Sequence, residues 1–222
     1  MELGRLTFKH AAIYSVANLL GGLASFLLLP FYAHFFQAEG YGVIAMIDTS
    51  LGIFTVLLTG GFQTAILRIY HEQTGLQKNL ALGTGIRLVW GLGALLAMPV
   101  LVFSVPLSGF LFGNSSYYPL ICLAMVTFVI DVAGQSASTI QIIRQQSLLF
   151  SSIGLARLIL GLSLNIWLVV ILQVGLIGVL LSSFATAVLS SLVFHLVAVR
   201  AHGIGYDRQI AVHLVRFQLP LL

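Results

Sequence analysis

The sequence predicts an all-α, polytopic membrane protein, and three observations predict it. Of 222 residues, 59% are hydrophobic and 7% charged, whereas soluble domains carry about 25% charged residues. The apolar residues come in runs of about 20, the length an α-helix needs to cross the hydrocarbon core. The ten Lys and Arg residues all fall on one side of the crossings that those runs define. Lipid offers no partner for backbone N–H and C=O groups, so spans of this length are helices.

Six spans are expected, at 10–35, 41–66, 81–106, 119–143, 150–173 and 175–199, making one lobe over 1–200. A connection at 201–213 and the start of a seventh span at 214–222 follow. That last run is too short to cross, so the chain reads as an N-terminal fragment. Arg5 and Lys9 precede the first span. Arg68, Lys78 and Arg87 surround the second connection, Arg144 and Arg157 the fourth, and Arg200, Arg208 and Arg216 follow span six. The positive-inside rule then puts the N-terminus in the cytoplasm.

Each span has its own pattern. Span one carries Ala17, Gly21 and Ser25 four residues apart, a small-residue ridge suited to close helix contact. Span two places Asp48, Gly52, Thr55, Thr59 and Gln63 along one helical face. Span three contains Pro99 and ends at Pro106, which favours a kink. Span four carries the most polar stripe: Thr127, Asp131, Gly134, Ser138, Gln141 and Gln145 share one side, bordered by Gln135. An intramembrane carboxylate is costly and faces a bundle interior or an aqueous cavity. Span five aligns Gly154, Arg157, Gly161 and Asn165. Span six repeats small residues at Gly178, Ser182, Thr186 and Ser190, a second packing ridge, and His195 lies near its end, in the interface.

Helix arithmetic brings two of these patterns together. Counted from the outer surface, Asp131 lies about 18 Å deep from Pro119 and Arg157 about 24 Å deep from Gln173. A long Arg stem covers that offset, so an Asp131–Arg157 pair is expected. A structural ion pair and a substrate or coupling site are both open at this point.

Other chemistry is missing. Cys122 is the single cysteine, which excludes an intrachain disulfide and a cysteine metal centre. There is no basic run of the kind that binds nucleic acid. No Walker A loop, G-x-S-x-G elbow, dinucleotide loop or zinc-ligand spacing occurs. The sequence points to no enzyme, cofactor or metal site, but to binding and translocation.

The run NLLGGLASFLLLPFYAHFF with Tyr41–Gly42, the segment GGFQTAILRIYHE with Arg68, Tyr70 and Glu72, the stretch around Gln141, Arg144 and Arg157, and the terminal VRFQLPLL resemble the polysaccharide repeat-unit flippases of the multidrug/oligosaccharidyl-lipid/polysaccharide exporter superfamily. The resemblance implies a six-helix N-terminal lobe, to be followed by a second lobe around a central cavity. Six spans return the chain to the cytoplasm, as a parallel repeat requires. The implied cargo is undecaprenyl-diphosphate-linked oligosaccharide, with membrane lipid, a polysaccharide polymerase and glycosyltransferases as partners. On this reading Arg157 and Arg68 hold the anionic diphosphate. Gln135, Ser138, Gln141 and Asn165 hold the glycan, and Asp131 and Asp48 couple a proton or sodium ion. Two rivals are a cation-coupled drug or metabolite antiporter of the same superfamily and a non-transporting membrane scaffold subunit with a closed, dry interior.

Overall fold

The computed structural model describes the backbone of residues 2–202 and 205–218, and the side chains of residues 32, 35–59, 61–75, 77–200 and 205–216. Every element among them is helical. Helix α1 covers Glu2–Glu72, α2 Leu76–Val102, α3 Ser104–Phe112, α4 Tyr118–Ile143, α5 Ser147–Ile166, α6 Leu176–His202 and α7 Arg208–Gln218. A 3-10 turn, Ser115–Tyr117, leads into α4, and a π-helical turn, Trp167–Ile171, extends α5. Among the described residues, five stretches are long and apolar enough to cross a membrane: Phe35–Glu72, Gln77–Val102, Ser115–Ile143, Ser147–Ile171 and Leu176–Arg200. The chain is thus an all-α protein suited to a membrane. The ridge expected at Ala17, Gly21 and Ser25 lies outside the described side chains.

Breaks in the helices follow local chemistry. Gln37 interrupts α1 with φ 56° and ψ −176°, a region that glycine adopts almost alone, at the first expected connection. Nearby, Gly40 admits the start of α6: a Cβ there would lie 3.2 Å from Leu176. Helix α2 ends at Val102, four residues before the expected end of span three. Pro99 sits in its last turn, and the Phe103 N–H folds back onto the Pro99 carbonyl at 3.0 Å. The expected connection at 106–118 is itself largely helical. Pro106 stands in the first turn of α3, where a missing N–H needs no partner. Gly113, at φ 66°, ends α3, and the Ser108 hydroxyl donates to the Asn114 carbonyl at 2.7 Å.

The end of α4 shows a further departure. The Gln146 N–H reaches the Gln141 carbonyl at 2.9 Å, and the Gln145 N–H reaches that of Ile142 at 3.1 Å. With Gln145 at φ 53°, this is a Schellman cap. Gln145 therefore lies past the helix and is not the last member of its stripe.

Helix α7 begins at Arg208, inside the stretch read as a connection. Asp207 caps it, its Oδ1 accepting the N–H groups of Gln209 at 2.7 Å and Ile210 at 3.2 Å. The Asp207 N–H in turn donates to Thr84 of α2 at 2.9 Å. Ala211 and Leu214 are buried where α7 packs on α1 and α2.

Helix α4 is the centre of the bundle. Within its most apolar stretch 61% of residues are buried, against 11% for α5. It packs most extensively on α6 and then on α2. Gly134 makes the α6 contact close, since a Cβ there would stand 3.0 Å from the backbone of Ser191. The main core joins Leu58 and Phe62 of α1, Val89 of α2 and Phe128 and Val132 of α4. A smaller cluster, Val43, Ile47, Leu120, Ala124 and Leu180, closes the α3 end. Between α2 and α6 the Trp90 indole donates to His195 Nε2 at 3.0 Å. His195 is thereby a half-buried helix-to-helix tie.

Candidate functional site

Asp131 and Gln135 stand one turn apart on α4, so their side chains meet. Gln135 Nε2 donates to Asp131 Oδ2 at 3.1 Å, and Arg157 Nη1 of α5 lies 2.5 Å from Asp131 Oδ1. Each carboxylate oxygen thus has its own donor, which is what a carboxylate away from bulk water requires. The expected pair forms, and it is not sealed: the Arg157 side chain is 37% exposed and that of Asp131 25%.

The pair borders a recess of about 300 Å³ between α1, α4 and α5. Thr59 and Gln63 of α1 form one wall, and Gln135, Ser136 and Ser138 of α4 the other. Phe62, Ile66, Val89 and Phe150 supply the apolar remainder. The hydroxyl protons are used within the helices: Thr59 donates to the Thr55 carbonyl at 2.8 Å, Ser136 to Ala133 at 2.7 Å and Ser138 to Gln135 at 2.7 Å. Their oxygens keep lone pairs for a ligand. Arg157 commits one nitrogen to Asp131, and a guanidinium carries five N–H donors in all. The recess therefore offers one cation, two amides and three hydroxyl oxygens, a set that suits a polar ligand with an anionic group.

The other residues singled out in the sequence lie elsewhere. Asn165 is buried at the α5–α6 contact, its Nδ2 donating to the Tyr32 hydroxyl at 2.6 Å and to Ser182 at 3.2 Å. On the same face Gly161 packs on Thr186 and Gly178 on Leu168, so both small-residue rows there serve helix contact. Gln141 is fully buried, and its amide has no hydrogen-bond partner among the described residues. Arg68 is exposed, 2.8 Å from Glu72 on its own helix. Asp48 is exposed and does not line the recess. Of the eight candidates, Arg157, Gln135, Ser138 and Asp131 come together, while Arg68, Gln141, Asn165 and Asp48 stay apart.

Comparison with known proteins adds one partial relative. A stretch of 78 residues, 35% of this chain, is 33% identical to "Lsg locus putative protein 1" of Haemophilus influenzae. The match spans 20% of that relative's length. No family profile matches the chain, and no solved structure does.

Ser136 and Phe150 line the recess without having stood out in the sequence. Ser136 lies five residues from Asp131, to one side of the stripe, and is reached because the recess wraps around α4. Phe150 lies in the first turn of α5 and reads as one more apolar residue. It stacks on Phe194 of α6 with ring centroids 6.0 Å apart, a contact that no spacing rule within one helix could reveal.

Proposed function

We propose that the chain forms the N-terminal lobe of a flippase that moves undecaprenyl-diphosphate-linked oligosaccharide across the cytoplasmic membrane for surface polysaccharide synthesis. The observation that carries this reading is the Arg157–Asp131–Gln135 constellation at the edge of a polar recess between apolar helices. A guanidinium matches phosphate oxygens with paired donors, and amides and hydroxyls match a glycan. Binding of the diphosphate draws Arg157 away from Asp131, leaving that carboxylate free to take up a proton or sodium ion. Cargo and coupling ion thereby act on one pair. The basic connections lie on the cytoplasmic side and lobe-against-lobe rocking moves the cargo. The segment Arg68–Glu72 sits at the cytoplasmic entrance.

Arg157 speaks against the antiporter of cationic compounds, because a guanidinium at the recess repels such cargo. Export of the lipid-linked repeat unit in cells that lack the native gene provides the test. Arg157→Ala in the full-length protein lowers surface polysaccharide at least tenfold at unchanged membrane protein level, and undiminished export by that variant refutes the assignment.

A further inference from the structure

A second recess lies on the same α1–α4 seam, toward the α3 end. It measures about 330 Å³ and is lined by Met46, Ile47, Leu51 and Phe54 of α1, Leu107 and Phe112 of α3, and Ile121 and Met125 of α4 among others. The Phe54–Phe128 ring pair, with centroids 6.1 Å apart, and the Leu58–Val132 layer of the core stand between it and the polar recess. The two spaces differ in kind. One polar side chain, Ser50, lines this second recess, and its hydroxyl donates to the Met46 carbonyl at 2.8 Å.

Such a space does not hold water, which needs two to four polar partners to settle. It is open to the surface on one side and closed by side chains on the others. An apolar cavity of about 150 Å³ stays dry and takes up benzene, and this one is more than twice that size. Its mouth is bordered by exposed Met46 and Ser50, within stretches apolar enough to lie in a bilayer. With those stretches lying in a bilayer, the medium at that mouth is hydrocarbon. Met46 and Met125 are unbranched and can shift to follow an incoming chain.

We infer that this recess is a binding site for a hydrocarbon chain, and that its occupant is an acyl chain of a bilayer phospholipid. Acyl chains are the form in which hydrocarbon surrounds the mouth at overwhelming excess. The terminal part of the chain lies between α1, α3 and α4, while the headgroup remains at the membrane surface outside the bundle. This inference does not depend on the flippase reading, and its test requires no transport.

The full chain is reconstituted in vesicles of phosphatidylcholine carrying a diazirine near the end of one acyl chain, and the photo-adducts are mapped by mass spectrometry. Met46, Leu51 and Met125 are expected to label at least fivefold above Val56 of α1 and Val102 of α2, which are 70% and 73% exposed on the outside of the bundle. Filling the recess with Ala124→Phe, or narrowing its mouth with Ser50→Leu, is expected to lower the enriched labelling at least fivefold and leave Val56 unchanged. Equal labelling of recess and surface in the wild-type protein overturns the site, whatever the variants do. Labelling that survives both variants overturns it as well. Loss of the adducts on adding an equimolar long-chain polyprenyl phosphate overturns the acyl assignment in favour of an isoprenoid chain.

Discussion

Gln141 has both ends of its amide buried in α4 and unpaired among the described residues. A polar group in that position costs about 1–3 kcal/mol relative to an apolar one of similar shape. Gln141→Leu is therefore expected to stabilise the protein by about 1–3 kcal/mol, measured as a rise in thermal unfolding midpoint in detergent, and to leave export intact. The Asp131–Arg157 pair behaves in the opposite way. Asp131→Asn or Arg157→Gln alone strands the other charge, whereas the double variant strands none. A coupling of about 0.5–3 kcal/mol in a double-mutant unfolding cycle is expected, and strict additivity shows that the two side chains do not support each other. At this scale the sequence was legible in part. Depth arithmetic along two helices sufficed to pair Asp131 with Arg157. It could not separate Gln141 from Ser138, because both share a face of α4 and only the neighbouring helices decide which of them reaches a recess.

Among the helices, glycine has two opposite meanings. A Cβ at Gly134 would press on Ser191 of α6, while at Gly154 of α5 nothing among the described residues lies within 4 Å. Gly134→Ala is accordingly expected to destabilise by about 1–3 kcal/mol through overpacking. Gly154→Ala is expected to stabilise by up to about 1 kcal/mol through helix propensity. Unfolding both variants side by side checks the contrast, and equal effects would mean that α4 and α6 do not cross at Gly134. Spacing located the four helices α2, α4, α5 and α6 because each is a long apolar run. It did less well at their ends. Helix α3 escaped notice because a nine-residue apolar helix is far shorter than a span. The early start of α7 was present in the sequence as Asp207 ahead of an amphipathic run, a cap signal outweighed by the search for apolar length.

For the whole molecule, the alternation of ends can be tested directly. In a Cys122→Ser background, Gln146→Cys and Ser115→Cys place exposed thiols at opposite ends of α4. A membrane-impermeant maleimide added to intact cells is expected to label Ser115→Cys, and to reach Gln146→Cys only after lysis. The reverse pattern inverts the orientation. Labelling of Gln63→Cys within the recess distinguishes a wet interior from the dry one that a scaffold subunit requires. Much of this arrangement follows from where Lys and Arg stand in the chain. The grouping of α1, α4 and α5 around one recess does not, because it depends on how far α5 leans on its neighbours.

The contrast in burial between α4 and α5 also bears on how the chain can evolve. Residues of α4 meet protein on nearly every side, so few of its positions can change alone. Among the described residues, helix α5 touches its neighbours mainly along one row, through Phe150, Arg157, Gly161 and Asn165, and the rest of its surface is mostly exposed and apolar. Saturation mutagenesis should therefore give a substitution tolerance that rises and falls every three to four residues along α5 and stays low and flat along α4. Variation among relatives is expected to accumulate on α5 first, where new sequence can be tried without repacking the centre.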